Sequence, residues 1–364
     1  MDLSLGIVGL PNVGKSTLFN ALTKKGIPAE NYPFCTIDPN IGVVVVPDVR
    51  IDKITSLVLP EKVVFPVVNF YDIAGLVKGA HEGEGLGNQF LSHIRNTSAI
   101  VHVVRDFAST DIIHVENRIN PKEDREIVEA ELMLKDLDTI ERSLIKVREE
   151  ARRDKKNEKI LNEVLALKDA LEANTLANAV PQTNDAEVEK FRKSLFLLTD
   201  KPVIYLINTE IDKCKDENVK MYRDKIGASP DSLIILMDVK IESEIADLEG
   251  DDRTEFMKEF GLKESALDKL IRESYKLLGL MSFFTAGPKE VRGWTILKGY
   301  TAPQAAGEIH TDFMNKFITA EVVAYEDFIN CGSWVKARES GKMRLEGKDY
   351  IVKDGDLMIF RHGA

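Results

Sequence analysis

Apolar residues in this chain come in short β-branched bursts separated by amphipathic stretches, and the order of the two textures predicts an architecture. The burst at 3–8 ends in Gly9 and a helical pattern begins at Lys15, so strand, loop and helix follow one another. Five further bursts, at 41–46, 63–71, 99–104, 203–207 and 233–237, are bounded by Gly, Pro or charged residues. They predict an α/β fold: buried strands of a mostly parallel sheet lying between helices.

Between the bursts at 99–104 and 203–207 the pattern changes. Residues 122–159 carry 23 charged side chains in 38, without Gly or Pro. Ile127, Ala130, Leu134, Leu137, Leu144 and Ala151 recur at helical spacings as a narrow seam, and Ile160, Val164, Leu167 and Leu171 form a second. Asn120 as N-cap, Pro121 as first helical residue and Glu123 three beyond the cap predict a helix over about 121–151, roughly 45 Å long. Two such helices packed antiparallel make an arm, read either as a solvated connection between strands or as a partner-binding element. After Leu278, short strand patterns at 281–284, 294–297, 320–323, 350–352 and 357–360 surround one helical stretch, 303–314, which predicts a small α+β module. The expected division is 1–120 with 199–278, 121–198, and 279–364.

Composition narrows the picture. With 44% hydrophobic residues in 364, the chain can bury substantial cores. Its 49 basic and 60 acidic residues give −11, which excludes indiscriminate coating of nucleic acid or anionic lipid. Residues 279–364 hold equal numbers of acids and bases, so the deficit lies in the first 278. Lys336, Arg338, Lys342, Arg344 and Lys348 fall close together and offer a narrow basic contact or a solvated loop. No run is long and apolar enough for a membrane helix, and the start does not read as a signal peptide, so a cytoplasmic protein is expected, taken here as a monomer. Cys35, Cys214 and Cys331 are widely spaced, without CxxC or clustered histidines, and read as reduced thiols. Cys35 stands beside Thr36, where modification would disturb a metal site; an inert buried thiol is the alternative.

The strongest chemical signal is Gly9-Leu10-Pro11-Asn12-Val13-Gly14-Lys15-Ser16-Thr17, which fits G-x-x-x-x-G-K-[ST] between a strand and a helix. Such a loop aims backbone N–H groups of Asn12, Val13, Gly14, Lys15, Ser16 and Thr17 at phosphate oxygens, Lys15 meets the β/γ-phosphates, and the Ser16 hydroxyl ligates Mg²⁺. Asp72, closing the burst at 63–71 in Asp72-Ile73-Ala74-Gly75, is placed to hold a Mg²⁺-bound water, and the Gly75 N–H to meet the γ-phosphate. Thr36 lies where a nucleotide switch brings a hydroxyl to the metal, and Gly79, Gly83, Gly85 and Gly87 make the following segment a switch.

Two departures separate the chain from signalling GTPases. Leu76 follows D-x-x-G where a water-orienting glutamine would stand. A guanine-specific Asn-Lys-x-Asp is replaced by Asn208-Thr209-Glu210-Ile211-Asp212, so ATP is expected to bind at least as well as GTP.

Together with Asn31-Tyr32-Pro33-Phe34-Cys35-Thr36, Gly83-Glu84-Gly85-Leu86-Gly87-Asn88, Phe284-Thr285-Ala286-Gly287, Thr301-Ala302-Pro303-Gln304 and the stretch 346–356, these motifs resemble the YchF family of Obg-like ATPases over essentially the whole chain. The resemblance implies a P-loop NTPase domain interrupted by an antiparallel coiled-coil arm, then a ubiquitin-like TGS domain. It implies Mg²⁺-dependent ATP hydrolysis and ribosome association through the arm and TGS domain. It also implies base-side contacts from Asn208 and Thr209, and a catalytic histidine matched by His114 beside Lys15. Asn12 resembles the phosphate-loop asparagine of potassium-dependent NTPases, which brings in K⁺. Rival readings are an Obg-type GTPase in ribosome assembly and a nucleotide-stabilised binding module acting on translation or stress responses.

Overall fold

The computed structural model describes residues 3–24, 40–73, 91, 93–108 and 118–363. Cys35, Thr36, Gly75, Leu76, the glycines at 79–87 and His114 lie outside the described residues. Twelve strands are seen among them: β1 (Ser4–Val8), β2 (Ile41–Val45), β3 (Lys62–Val64), β4 (Val67–Asp72), β5 (Ala99–Asp106), β6 (Val203–Thr209), β7 (Leu233–Met237), β8 (Leu280–Ala286), β9 (Glu290–Leu297), β10 (Phe317–Val323), β11 (Arg344–Glu346) and β12 (Leu357–His362).

The first sheet has the order β2-β4-β1-β5-β6-β7, and β1 with β4, β1 with β5, β5 with β6, and β6 with β7 all pair in parallel. β1 and β5 are buried at every position, as strands between two helical layers must be. The chain forms two compact units, one of residues 1–42 and 69–267, the other of 43–68 and 268–364. The expected division sets 121–198 apart and keeps 43–68 and 268–278 with the first part, whereas the units join 121–198 to the first and give 43–68 and 268–278 to the second; the placing of 43–68 turns on the nine-residue burst at 63–71. That burst is two strands: β3 belongs to the second sheet and β4 to the first, and Pro66, which has no N–H to donate, falls between them.

In the first unit, helix Pro121–Arg153 begins on Asn120, whose side chain accepts from the Glu123 N–H at 3.3 Å, as the capping pattern predicts. It packs with helix Glu158–Glu172 around Met133, Ile140, Leu144, Val164, Leu167 and Leu171. The second predicted seam is therefore right and the first is displaced: only its Leu144 is fully buried, while Leu134 is 40% exposed. The buried face instead carries Val128 and Leu132 with the charged Asp124, Glu129 and Asp136. Asp136 takes the Leu198 N–H, the Thr199 N–H and the Thr199 hydroxyl at 2.7–2.8 Å, and Glu129 takes the Tyr205 hydroxyl at 2.7 Å. Partners far along the chain thus allow charged residues on the inner face.

The second unit is a mixed sheet, β11-β10-β12-β8-β9-β3, with apolar side chains buried on both faces. Met281, Phe283, Ala320, Val322 and Met358 lie with Ala302, Ala305 and Ala306 of helix Ala302–Ile309. Phe284, Val291, Val323 and Leu357 lie with Ile51 and Ile54 of helix Val49–Val58 and Phe328 of helix Tyr325–Cys331. The expected strand at 350–352 is a single bridge, Thr301 to Ile351. Three of the five clustered bases are already paired: Arg338 with Glu321 at 3.1 Å, Lys342 with Asp327 at 3.1 Å, and Arg344 with Glu346 at 3.7 Å.

Candidate nucleotide site

β1, an interior strand, delivers the chain to a loop under tight steric limits. At Gly14, φ is +103° and a Cβ would lie 2.6 Å from Asn208 Nδ2; at Gly9 a Cβ would lie 2.5 Å from the Val103 carbonyl oxygen. Glycine is required at both points. Asn12 also takes a positive φ, +61°. Helix Lys15–Lys24 starts directly after the loop, and its Leu18 N–H bonds Gly14 O at 2.9 Å, so the free amides of its first turn face the loop.

Lys15 is 7% exposed and its Nζ donates to Leu10 O at 2.7 Å. Burial lowers its pKa to about 8, opposed by the Asp72 carboxylate. Burial raises the Asp72 pKa, opposed by Lys15 and by a hydrogen bond from the Ser16 hydroxyl. The lysine and serine of one motif and the aspartate of another are therefore neighbours. Ser16 and Asp72 are two hard oxygen donors beside a cation-lined phosphate loop, which suits Mg²⁺, an ion that takes one or two protein oxygens and completes its shell with phosphate and water. Among the described residues no cluster of three or more His, Cys, Asp or Glu offers an all-protein metal cage.

A cavity of about 710 Å³ opens from this loop. Asn12, Gly14, Lys15, Ser16 and Thr17 form one side; Phe107, Ala108, Asn208, Thr209, Glu210, Asp238, Val239 and Lys240 form the rest. Val13 is not on its wall: the side chain is fully buried and the carbonyl accepts from Asn208 Nδ2 at 3.0 Å. Asn208 Oδ1 in turn accepts from Val239 N at 3.2 Å, so this amide joins the phosphate loop to the turn after β7. The Thr209 hydroxyl is likewise turned inward, bonding Asp106 O at 3.2 Å and lying 2.9 Å from the Tyr222 hydroxyl, while Lys225 Nζ holds both Asp106 carboxylate oxygens at 2.7 Å.

Glu210 reaches the cavity wall and pairs with Lys213 at 2.5 Å. Phe107, Asp238, Val239 and Lys240 escaped sequence reasoning. The available signal was Asp238 itself, an N-cap at the carboxyl end of β7 whose side chain accepts from Lys240 N and Ile241 N. Cys214, with its pKa pushed up to about 12 chiefly by burial, is an unreactive thiol. His102, 2% exposed on β5, is buried neutral, its pKa lowered to about 3 by desolvation and then by Arg125 and Lys15.

Comparison with known proteins finds relatives over nearly the whole chain. A family model described as 50S ribosome-binding GTPase matches residues 4–209, and the YchF-GTPase C-terminal model, described as a protein of unknown function, matches 280–363. The Ribosome-binding ATPase YchF of Bacillus subtilis is 50% identical over 99% of both chains, and that of Escherichia coli O157:H7 is 49% identical over the same share. The solved structure of the Schizosaccharomyces pombe YchF GTPase superposes with a TM-score of 0.88 at 38% identity, covering 99% of this chain and 98% of that one. Among the described residues no helix is long and apolar enough to cross a membrane. Sequence, fold and phosphate loop converge, and the chain belongs to the YchF family.

Proposed function

We propose that this protein is a ribosome-associated, Mg²⁺-dependent ATPase that converts ATP to ADP and phosphate and uses GTP less well. The observation that carries the reading is the cavity itself: Lys15 and Ser16 line its phosphate end with the Asp72 carboxylate beside them, while its other end lacks the Lys-x-Asp pair that reads guanine. Relatives bearing the name ribosome-binding ATPase support the ribosome as partner and ATP as substrate.

Mg²⁺ would be held by Ser16, Asp72 and Thr36, and would neutralise charge developing on the phosphates. Lys15 leaves Leu10 O for the β/γ-phosphates, and the Gly75 N–H meets the γ-phosphate. With Leu76 unable to orient water, His114 takes that role. Asn12 supports a K⁺ that supplies charge where no arginine finger does. Asn208 and Thr209 act as supports of the base-side wall. The helical arm and a TGS-type C-terminal module present surfaces to the ribosome, Lys336 and Lys348 among them, from a cytoplasmic monomer.

Titration with ATP and GTP tests the reading directly. ATP should bind at least as tightly, and a GTP preference above tenfold would overturn it. Wild-type turnover by His114→Ala would remove the histidine, and equal turnover in Na⁺ and K⁺ would remove the potassium ion.

A further inference from the structure

The two family models place residues 43–68 in the nucleotide-binding part of the chain, yet the structure builds this segment into the other unit. β3 forms an edge of the second sheet, pairing in parallel with β9 from Lys62–Glu290 to Val64–Arg292. Ile51 and Ile54 are fully buried against Phe284, Val291 and Leu357. A Cβ at Gly293 would lie 2.8 Å from Pro66 Cδ and 2.9 Å from Ile51 Cδ1, so β9 is shaped to receive the segment. Arg50 adds a polar lock: its guanidinium binds Asp48 at 2.8 Å and Asp354 at 2.9 Å and lies 5.0 Å from the centre of the Phe284 ring. Both ends of this excursion return to the nucleotide site. The chain leaves after Gly42 and comes back at Asn69, and the Asp72 N–H donates to Asn40 O at 2.9 Å, next to the Asp72 carboxylate that faces Lys15 and Ser16.

We infer that helix Val49–Val58 and β3, inside residues 43–68, are an integral folding element of the C-terminal unit, and that nucleotide bound beside Asp72 thereby alters the local stability of that unit. The coupling rests on the nucleotide-site reading above. Its physical basis is that the helix and strand completing one apolar face are tethered at both ends to the backbone carrying Asp72. Any change in strand position at Asn40 or Asp72 strains or relaxes contacts at Ile51, Ile54 and Val63.

Hydrogen exchange on the full chain tests both parts. In Gly293→Val, and in the milder Arg50→Ala should the first fail to fold, exchange in β8, β9 and β12 should accelerate at least about tenfold while β5 and β6 keep their protection. Acceleration confined to 43–68, or spread equally to β5 and β6, would overturn the folding claim. In the wild type, Mg²⁺ with a non-hydrolysable ATP analogue should slow exchange at 12–17 and change it in 51–58 and β9 at least about threefold relative to the nucleotide-free protein. Slowing at 12–17 without change in 51–58 and β9 would overturn the coupling alone. No slowing at 12–17 would overturn the nucleotide-site reading and the coupling with it.

Discussion

Replacing Asn208 by alanine removes a support on which both the phosphate loop and the base-side wall depend. The side chain is 7% exposed, donates to Val13 O at 3.0 Å and accepts from Val239 N at 3.2 Å. Alanine leaves a buried carbonyl and a buried N–H without partners, each costing about 1–3 kcal/mol. Allowing for relaxation, about 2–4 kcal/mol falls on the loop conformation that binds nucleotide, which corresponds to roughly 30- to 1000-fold weaker ATP binding. Gly14 supplies an internal control, because a Cβ there would strike Asn208 Nδ2 at 2.6 Å. The backbone strain of Gly14→Ala at φ +103° is the same with or without Asn208, but the clash disappears once the amide is gone. A double-mutant cycle should therefore show coupling of about 1 kcal/mol or more, where independent sites add within about 0.5 kcal/mol. The assay is titration with a fluorescent ATP analogue alongside denaturant unfolding. Asn208→Ala binding within threefold of wild type, or an additive cycle, would refute the reasoning.

Other expectations follow from burial. With its folded pKa lowered from 10.5 to about 8, Lys15 costs stability in full below pH 8, and the cost fades as pH rises toward 10.5. Lys15→Met should stabilise the nucleotide-free protein at pH 7 by on the order of 1–3 kcal/mol and abolish the rise in Tm caused by ATP; a lower Tm without nucleotide would contradict this. Asp136 has the opposite titration, its pKa pushed up to about 6 mainly by burial, so its ionisation costs stability as pH rises from about 4 to 6 and the cost is complete above that. Relative to Asp136→Asn, the wild type should lose about 2–3 kcal/mol across this range in urea unfolding, and a difference independent of pH would count against a buried carboxylate. Leu144→Ala should cost about 2–4 kcal/mol and leave ATP affinity unchanged, whereas Leu134→Ala should stay within about 0.5 kcal/mol; equal losses would mean the helix is rotated from the arrangement seen.

How far the sequence foretold the molecule depended on the distance to each residue's decisive partner. The phosphate loop was legible because its causes are local: Gly9 and Gly14 open the turn, and Lys15 and Ser16 begin the helix that follows. The cap at Asn120 and the seam at Val164, Leu167 and Leu171 were legible for the same reason. Elsewhere a distant partner chose between local patterns that looked equivalent. On helix 121–153 either of two stripes could face inward, and the one selected carries Asp124, Glu129 and Asp136 because Tyr205 and the backbone at Leu198 and Thr199 meet two of these carboxylates. The resemblance makes Asn208 a base-side contact, and it does line the cavity, but no local pattern announces that Val13, 195 positions away, and Val239 hold its amide.

The burst at 63–71 is the most instructive failure. Hydrophobicity predicts burial and says nothing about which sheet supplies it, so one continuous apolar run reads as one strand. Pro66 marked the interruption, but only the vacancy beside β9, opened by Gly293, decides that Val63 and Val64 leave the first sheet while Val68 and Phe70 stay in it. That decision has a functional side. Had the whole run belonged to the first sheet, Asp72 would end a strand anchored within one core; as built, it ends a strand whose preceding residues are packed into another.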